Sequence, residues 1–468
     1  MTLASSTQIP NQPLTQRRLS QLIAIPPAGT AAWRNELFNP LRRLALYCAF
    51  AYIFIRYSLI HETITFLIGV NLKLVYLTAP VALLGILLTG GVQRTLKERV
   101  AWYWLGFTIW MVLAIPFSSW PGGSFDTVYG FLKTQISILF VLGGLAMTWS
   151  ECYSFIRVLA ATPLVVLFAG KFFAADDTYR LGLTWSSIGN QNDYAAHLLL
   201  VLPFTLYVGL RSGTPIVIRL AALGVVAYGL RQILATASRG ALIALGVVAI
   251  FALWRGTNKQ RLALVLLAPI AAIVLIALLP QQTLTRLTSF SSDDEDAPAE
   301  ARESAQSREY LLRQSVVFTL QHPIFGIGPG QFANYEGKTR TQAGLRGNWH
   351  QTHNIFTQIS SECGVPAFLF MVAGLAGTFQ ILNSIWREAR ERQLHDISLM
   401  LFCVMMSMTG FCAAATFLNL GYGYYLPGFA GLAIALKTGF RSAFPTPSLA
   451  GRGRGYRSQT QHGTVNRA

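Results

Sequence analysis

Apolar residues in this chain fall in long continuous blocks, unlike the alternation of a half-buried strand or the one-sided stripe of a surface helix. The blocks lie at about 44–60, 72–90, 100–117, 128–147, 152–170, 192–210, 216–234, 240–254, 262–279, 354–382, 398–418 and 422–436. Most have the roughly 17–25 residues that cross a hydrocarbon core of about 30 Å. With no water to satisfy the backbone there, each block must close its hydrogen bonds internally as a helix. The pattern predicts an all-α fold, a polytopic membrane helix bundle of about 12 transmembrane helices. The second and last blocks are short or interrupted by Asn, Gly and Pro, which sets the margin on that count at one or two.

The polar segments divide the chain. Residues 1–43 are rich in Gln, Pro, Ser and Thr and hold no apolar stretch, so a disordered cytoplasmic N-terminal tail with no cleavable signal peptide is expected. Helices one to nine should occupy 44–280, a long periplasmic loop 281–353, helices ten to twelve 354–436, and a basic cytoplasmic tail 437–468. A loop as long as 281–353 is functional or disordered, and this one has marks of both. Its run Ser291-Ser292-Asp293-Asp294-Glu295-Asp296 reads as a solvated acidic stretch; Ca²⁺ or Mg²⁺ chelation would need an EF-hand-like spacing that is missing. From Glu300 to Gln321 the spacing of Tyr310, Leu311, Val317 and Phe318 fits an amphipathic helix ending at His322-Pro323. Gly326-Ile327-Gly328-Pro329-Gly330 then reads as a tight turn. It lacks the strand–helix context and the Lys-Ser/Thr of a phosphate loop.

Composition agrees. Of 468 residues, 53% are hydrophobic and 12% charged, about half the charged share of a soluble protein. That excludes a cytosolic enzyme, a disulfide-stapled secreted domain and a disordered scaffold. The net charge of +17 could signal nucleic acid, but membrane orientation explains most of it. With a cytoplasmic N-terminus and alternating sides, 23 of the 37 Lys and Arg residues fall on inner segments, and seven of the rest sit in the one long outer loop. Short inner loops are thus basic, as the positive-inside rule requires. Both termini are expected in the cytoplasm. The five cysteines show no CxxC spacing, so neither a disulfide framework nor a zinc site is indicated.

Polar residues at the mouth of such a bundle are costly and mark function by default. Several converge on the predicted outer face. Arg180 and Asn190-Gln191-Asn192-Asp193-Tyr194 precede helix six, Ser238-Arg239-Gly240 opens helix eight, Arg308 and His322 lie on the loop, and His350 and His353 close it. His353 stands at the start of a long helix, whose dipole together with nearby arginines disfavours imidazolium. A neutral histidine suits proton abstraction from a hydroxyl; an interfacial helix cap is the plainer role. His350 and His353 could form an i,i+3 metal pair, but no carboxylates accompany them. Arg180, Arg239 and Arg308 could clamp a diphosphate through planar, permanently charged forks, or anchor lipid headgroups and loop acids. Arg239, at a helix start, adds a cation to backbone N–H groups. Lys133, early in helix four, is a further cation that could face the same cavity.

The succession Gly189-Asn190-Gln191-Asn192-Asp193-Tyr194-Ala195, Ala237-Ser238-Arg239-Gly240-Ala241, His322 to Gly330 and His353-Asn354 resembles the O-antigen ligase and polymerase superfamily. In its ligases, nine residues separate a His-Asn pair from Gly-x-x and a small residue or Tyr. Here the nine residues Ile355 to Cys363 separate Asn354 from Gly364, and Ala367 departs from the commoner Gly, Thr or Tyr. The resemblance covers roughly 100–435. It implies a GT-C-like bundle in a bacterial inner (plasma) membrane and a metal-independent glycosyltransferase with its active site on the periplasmic face. The implied donor is a glycan on a polyprenyl diphosphate carrier, and the acceptor a hydroxyl, most simply that of lipid A core. By the same resemblance His353 is the catalytic base, Arg180 and Arg239 bind diphosphate, Arg308 matches a recurrent loop-helix arginine, and neither metal nor cofactor is needed. An O-antigen or exopolysaccharide polymerase and a protein O-glycan ligase share these motifs. A transporter or flippase of lipid-linked sugars would show internal repeats and midplane sites, which the sequence lacks. A metal-dependent transferase would use Asp176-Asp177.

Overall fold

A computed structural model describes residues 35–174, 180–277, 279, 281–288 and 299–445. All regular structure among them is helical. The elements are α1 (Pro40–Ser58), α2 (Ile60–Ile68), α3 (Leu74–Leu88), α4 (Gly91–Leu96), α5 (Arg99–Ala114), α6 (Pro121–Gly130), α7 (Ile136–Leu145), α8 (Trp149–Phe172) and α9 (Gln191–Leu210). There follow α10 (Ile216–Ala235), α11 (Arg239–Arg255), α12 (Asn258–Ala277), α13 (Gln281–Thr288), α14 (Ala299–Gln321), α15 (Phe332–Gln342), α16 (Ile355–Glu391), α17 (His395–Ala415) and α18 (Tyr425–Ala443).

Each of the twelve apolar blocks is helical over most of its described length. Seven of the helices are long and apolar enough to cross a membrane: α5 with the turn after it, α6 continuing through a π turn into α7, α8, α9, α10, α16 and α17. The pair α1–α2, bent by 65°, would make an eighth. The chain is thus a multi-pass membrane protein, while the expected twelve spans exceed what length and composition establish among the described residues. The reasons are local. At 15 residues α3 reaches about 22 Å, short of the hydrocarbon core; α11 has 17 residues with an arginine at each end. Lys437 and Arg441 cut the apolar run of α18.

The most enclosed of the seven spanning segments is α9, packed among α8, α10 and α17. Small residues permit close crossings, as membrane helices need where packing replaces the hydrophobic effect. At Gly431 of α18 a Cβ would stand 2.6 Å from the carbonyl oxygen of Leu139.

One end of the bundle is laced by ion pairs. Arg42, 1% exposed, meets Glu151 at 2.7 Å and also donates to the carbonyls of Leu145, Glu36 and Leu37. Glu151 serves twice, because with Thr148 it forms the capping box that starts α8. Arg94 pairs with Glu36, Lys437 with Glu98, and Arg441 and Arg392 with Glu388. These are cations assigned to inner segments on sequence, and they gather at a single end. A guanidinium so buried tolerates no missing partner. Glu151→Ala is therefore expected to cost about 3–5 kcal/mol, seen as a lowered unfolding midpoint in detergent; an unchanged midpoint would contradict this account.

Candidate functional site

The opposite end gathers the polar motifs. Asn190 caps α9 by accepting from the Asn192 backbone N–H at 2.8 Å, and Ser238 caps α11 by accepting from Ala241 at 3.3 Å. Asn354 caps α16, its side chain accepting from Phe356 at 2.9 Å and Thr357 at 3.1 Å. Such caps satisfy N–H groups a helix leaves open. The residues just before two of these caps, Ala237 and His353, both have φ near 50°. This left-handed backbone is strained for a side-chain-bearing residue and fixes the direction in which the chain enters each helix.

Arg180, only 9% exposed, joins two of these ends. Its Nε donates to the carbonyl oxygen of Thr236 at 3.1 Å and an Nη donates to Asn192 Oδ1 at 3.3 Å. Arg239 is the first residue of α11, three positions beyond Thr236 and half-buried. Next to it, Gly240 admits the Phe417 ring, which a Cβ would meet at 2.9 Å. Arg180 and Arg239 thus share one turn.

The long loop brings the second pair. It is more ordered than the acidic run alone implied. The expected helix is present as α14, and α15, which the sequence pattern did not announce, packs on it through Leu311, Phe318, Ile327 and Phe332. Glu336, 1% exposed, accepts from the Asn348 and Trp349 N–H groups at 3.1 and 3.0 Å and from the Tyr310 hydroxyl. Asn348 also donates to Ser307, beside Arg308, at 3.2 Å. The approach to His353 is thereby tied to α14. Burial pushes the half-buried His353 imidazole down to about 4, and the Arg308 charge and then that of His350 act in the same direction. Arg308 also acts electrostatically on Asp193, next to the Asn192 that holds Arg180.

Other sequence candidates stand apart. Lys133 donates to the Tyr76 hydroxyl at 3.2 Å on α3, and His322 is exposed and bonded to Tyr335. Among the described residues, no three His, Cys, Asp or Glu side chains lie close enough to hold a metal ion. Asp176-Asp177 and the acidic run 293–296 lie outside the described residues.

Two groups were missed on sequence. Arg56, in the last turn of α1, lies 4.4 Å over the Tyr424 ring. Glu362 is fully buried and binds two other segments: it accepts from the N–H groups of Gly330 and Phe332, each at 3.0 Å, and from the Tyr422 hydroxyl at 2.5 Å. It sits at a break in α16. Gly364 has φ 80° and ψ 173°, and a Cβ there would stand 2.0 Å from the Ile324 carbonyl oxygen. Ile327 and Gly328 donate to the carbonyls of Ser361 and Glu362, and Val365 donates to Pro323. The glycine of the His-Asn motif is therefore where the loop docks into the helix. A carboxylate inside an apolar block was the available signal.

Helices of membrane-spanning character, with arginines, a histidine and an ordered loop gathered at one bundle end, define a multi-pass membrane protein with a polar site at that end. Residues 224–372 match the family model described as O-antigen ligase, a segment that includes Arg239, Arg308, His353, Glu362 and Gly364. The resemblance to the O-antigen ligase superfamily thus stands on this segment, and it supports an enzyme of the membrane glycan ligase or polymerase type. No curated protein matches the chain.

Replacing Glu362 by Ala strands two buried N–H groups, at about 1–3 kcal/mol each. The variant should insert normally but expose residues 322–335 to limited proteolysis. Protection equal to wild type would show that this carboxylate does not hold the loop.

Proposed function

We propose that the protein is a metal-independent glycosyltransferase that moves a glycan from a polyprenyl diphosphate carrier to an acceptor hydroxyl, that of lipid A core, at the periplasmic face of the inner membrane. The observation that carries this reading is His353 held neutral beside Arg308 within the matched family segment. His353 takes the proton of the acceptor hydroxyl, whose oxygen attacks the anomeric carbon. The bond from that carbon to the diphosphate oxygen breaks, and the electron pair leaves with the carrier. Arg180, Arg239 and Arg308 are the cations for the charge that develops, in a setting where arginines can replace a divalent metal. Displacement in one step inverts the anomeric configuration.

A base with so low a pKa in the free protein is weak, and ideal bases titrate near the working pH. The bound diphosphate corrects this, because its negative charge opposes that of Arg308 and raises the imidazole pKa. The sign follows: His353 acts only when neutral, so activity is lost as pH falls through its pKa. The acid limb of kcat/KM, which reports the free enzyme, is expected near pH 4, and the limb of kcat at higher pH. Coincident limbs near 6.5 would contradict a depressed, donor-sensitive histidine.

Reconstitution with a lipid-linked glycan tests the roles. His353→Ala should lose about 10²–10⁴-fold in rate. Arg239→Lys should also be impaired, since charge persists without the bidentate fork. EDTA should leave the rate unchanged, and NMR of the product should show inversion. Wild-type transfer by both variants would remove the site assignment. Presenting lipid A core, a second lipid-linked repeat or a Ser/Thr peptide as acceptor separates ligase from polymerase and protein ligase.

A further inference from the structure

Between α8 and α10 runs an open groove of about 540 Å³, lined by Leu164 and Phe168 of α8 and by Gly224 and Val225 of α10, with Lys171 and Tyr228 at the end nearer the site. On each helix these positions follow the three- and four-residue spacing of one face. The groove exists because α10 lacks bulk there: a Cβ on Gly224 would meet nothing within 4 Å.

Its height relative to the site is fixed by one bond. Gln232 of α10 donates to the carbonyl oxygen of Leu167, itself a groove residue, at 3.1 Å and so levels the two helices. One turn further along α10, the Thr236 carbonyl accepts from Arg180. One turn further along α8 stands Lys171. Lys171 and Arg180 therefore lie at about the same level. The apolar groove ends at Lys171, level with Arg180.

We infer that this groove seats the first isoprenoid units of the donor's polyprenyl chain and that Lys171, at its upper end, binds the diphosphate together with Arg180. This rests on the function proposed above and adds where the carrier lies. Charge selects the occupant: a membrane phosphodiester brings one negative charge to the cations, a diphosphate two or more. Bulk phospholipid is the competing occupant.

The test fills the groove. Gly224→Phe places a ring in open space on a helix and improves helix propensity, so folding should persist; Lys171→Gln removes the cation. Donors carrying the same glycan on a long polyprenyl diphosphate and on a two-isoprene diphosphate are compared in proteoliposomes. Gly224→Phe should raise KM for the long-chain donor about tenfold, the loss of roughly two buried methylenes, with kcat unchanged and the short-chain donor unaffected. Lys171→Gln should raise KM for both donors and also lower kcat, because a cation on the leaving diphosphate meets the charge that develops in the transition state. An unchanged long-chain KM in Gly224→Phe overturns the proposal and assigns the groove to bulk lipid, and an equal loss for both donors overturns it as general distortion. Binding of glycan-free polyprenyl diphosphate, read as a thermal shift, separates the two readings. If wild type is stabilised, Gly224→Phe is not, and no acceptor is ever glycosylated, the groove stands and the transfer reaction falls.

Discussion

A helix interrupted inside a membrane bundle must find new partners for the backbone groups it frees, since hydrocarbon offers none. At Gly364 the interruption is forced by a left-handed glycine, and the freed groups are met by a loop from elsewhere in the chain. Ile327, Gly328 and Pro323 supply the backbone bonds, and Glu362 gathers Gly330, Phe332 and Tyr422 around one carboxylate. The loop side of the polar end is positioned through this joint. It sets the root of the loop, hence α14 with Arg308, against the helix whose cap follows His353.

The two ends of the bundle use charge differently. At one end Arg42, Arg94, Lys437 and Arg441 are matched to carboxylates across helix termini, which locks the helices together. At the other, Glu336 and Glu362 bind backbone N–H groups, and Arg308 acts on an imidazole. The same residue types give rigidity in one place and a local field in the other: at the second end the acids hold the backbone, and the Arg308 charge acts on His353.

Much of the helix layout was legible because hydrophobic blocks of spanning length have few alternative folds; each block became helical over most of its described length, and α14 appeared at nearly the expected bounds. The count was less legible, since block length says little about how far Lys437 and Arg441 cut into the last helix. Arg180, Arg239 and the caps around them could be read from local motifs that open helices. What escaped was non-local. Glu362 looked like one acid among Ser360, Ser361 and Cys363, and its partners lie some thirty and sixty residues away. Helix α15 escaped because its polar sequence is ordered by α14 and Trp349, not by a periodic apolar stripe. Arg56 escaped because a cation near a helix end reads as a lipid anchor until Tyr424 is seen beneath it.

At 37 residues, α16 is about 55 Å long, nearly twice the thickness it has to cross. The part after the break, from Val365 onward, spans about 40 Å and can traverse the bilayer unaided. The first turns are thereby relieved of any duty toward lipid. That division of labour within one rod is why Thr357, Gln358, Ser360, Ser361 and Glu362 can follow one another there: the stretch nearest His353 is free to be composed for chemistry, while its continuation is composed for insertion.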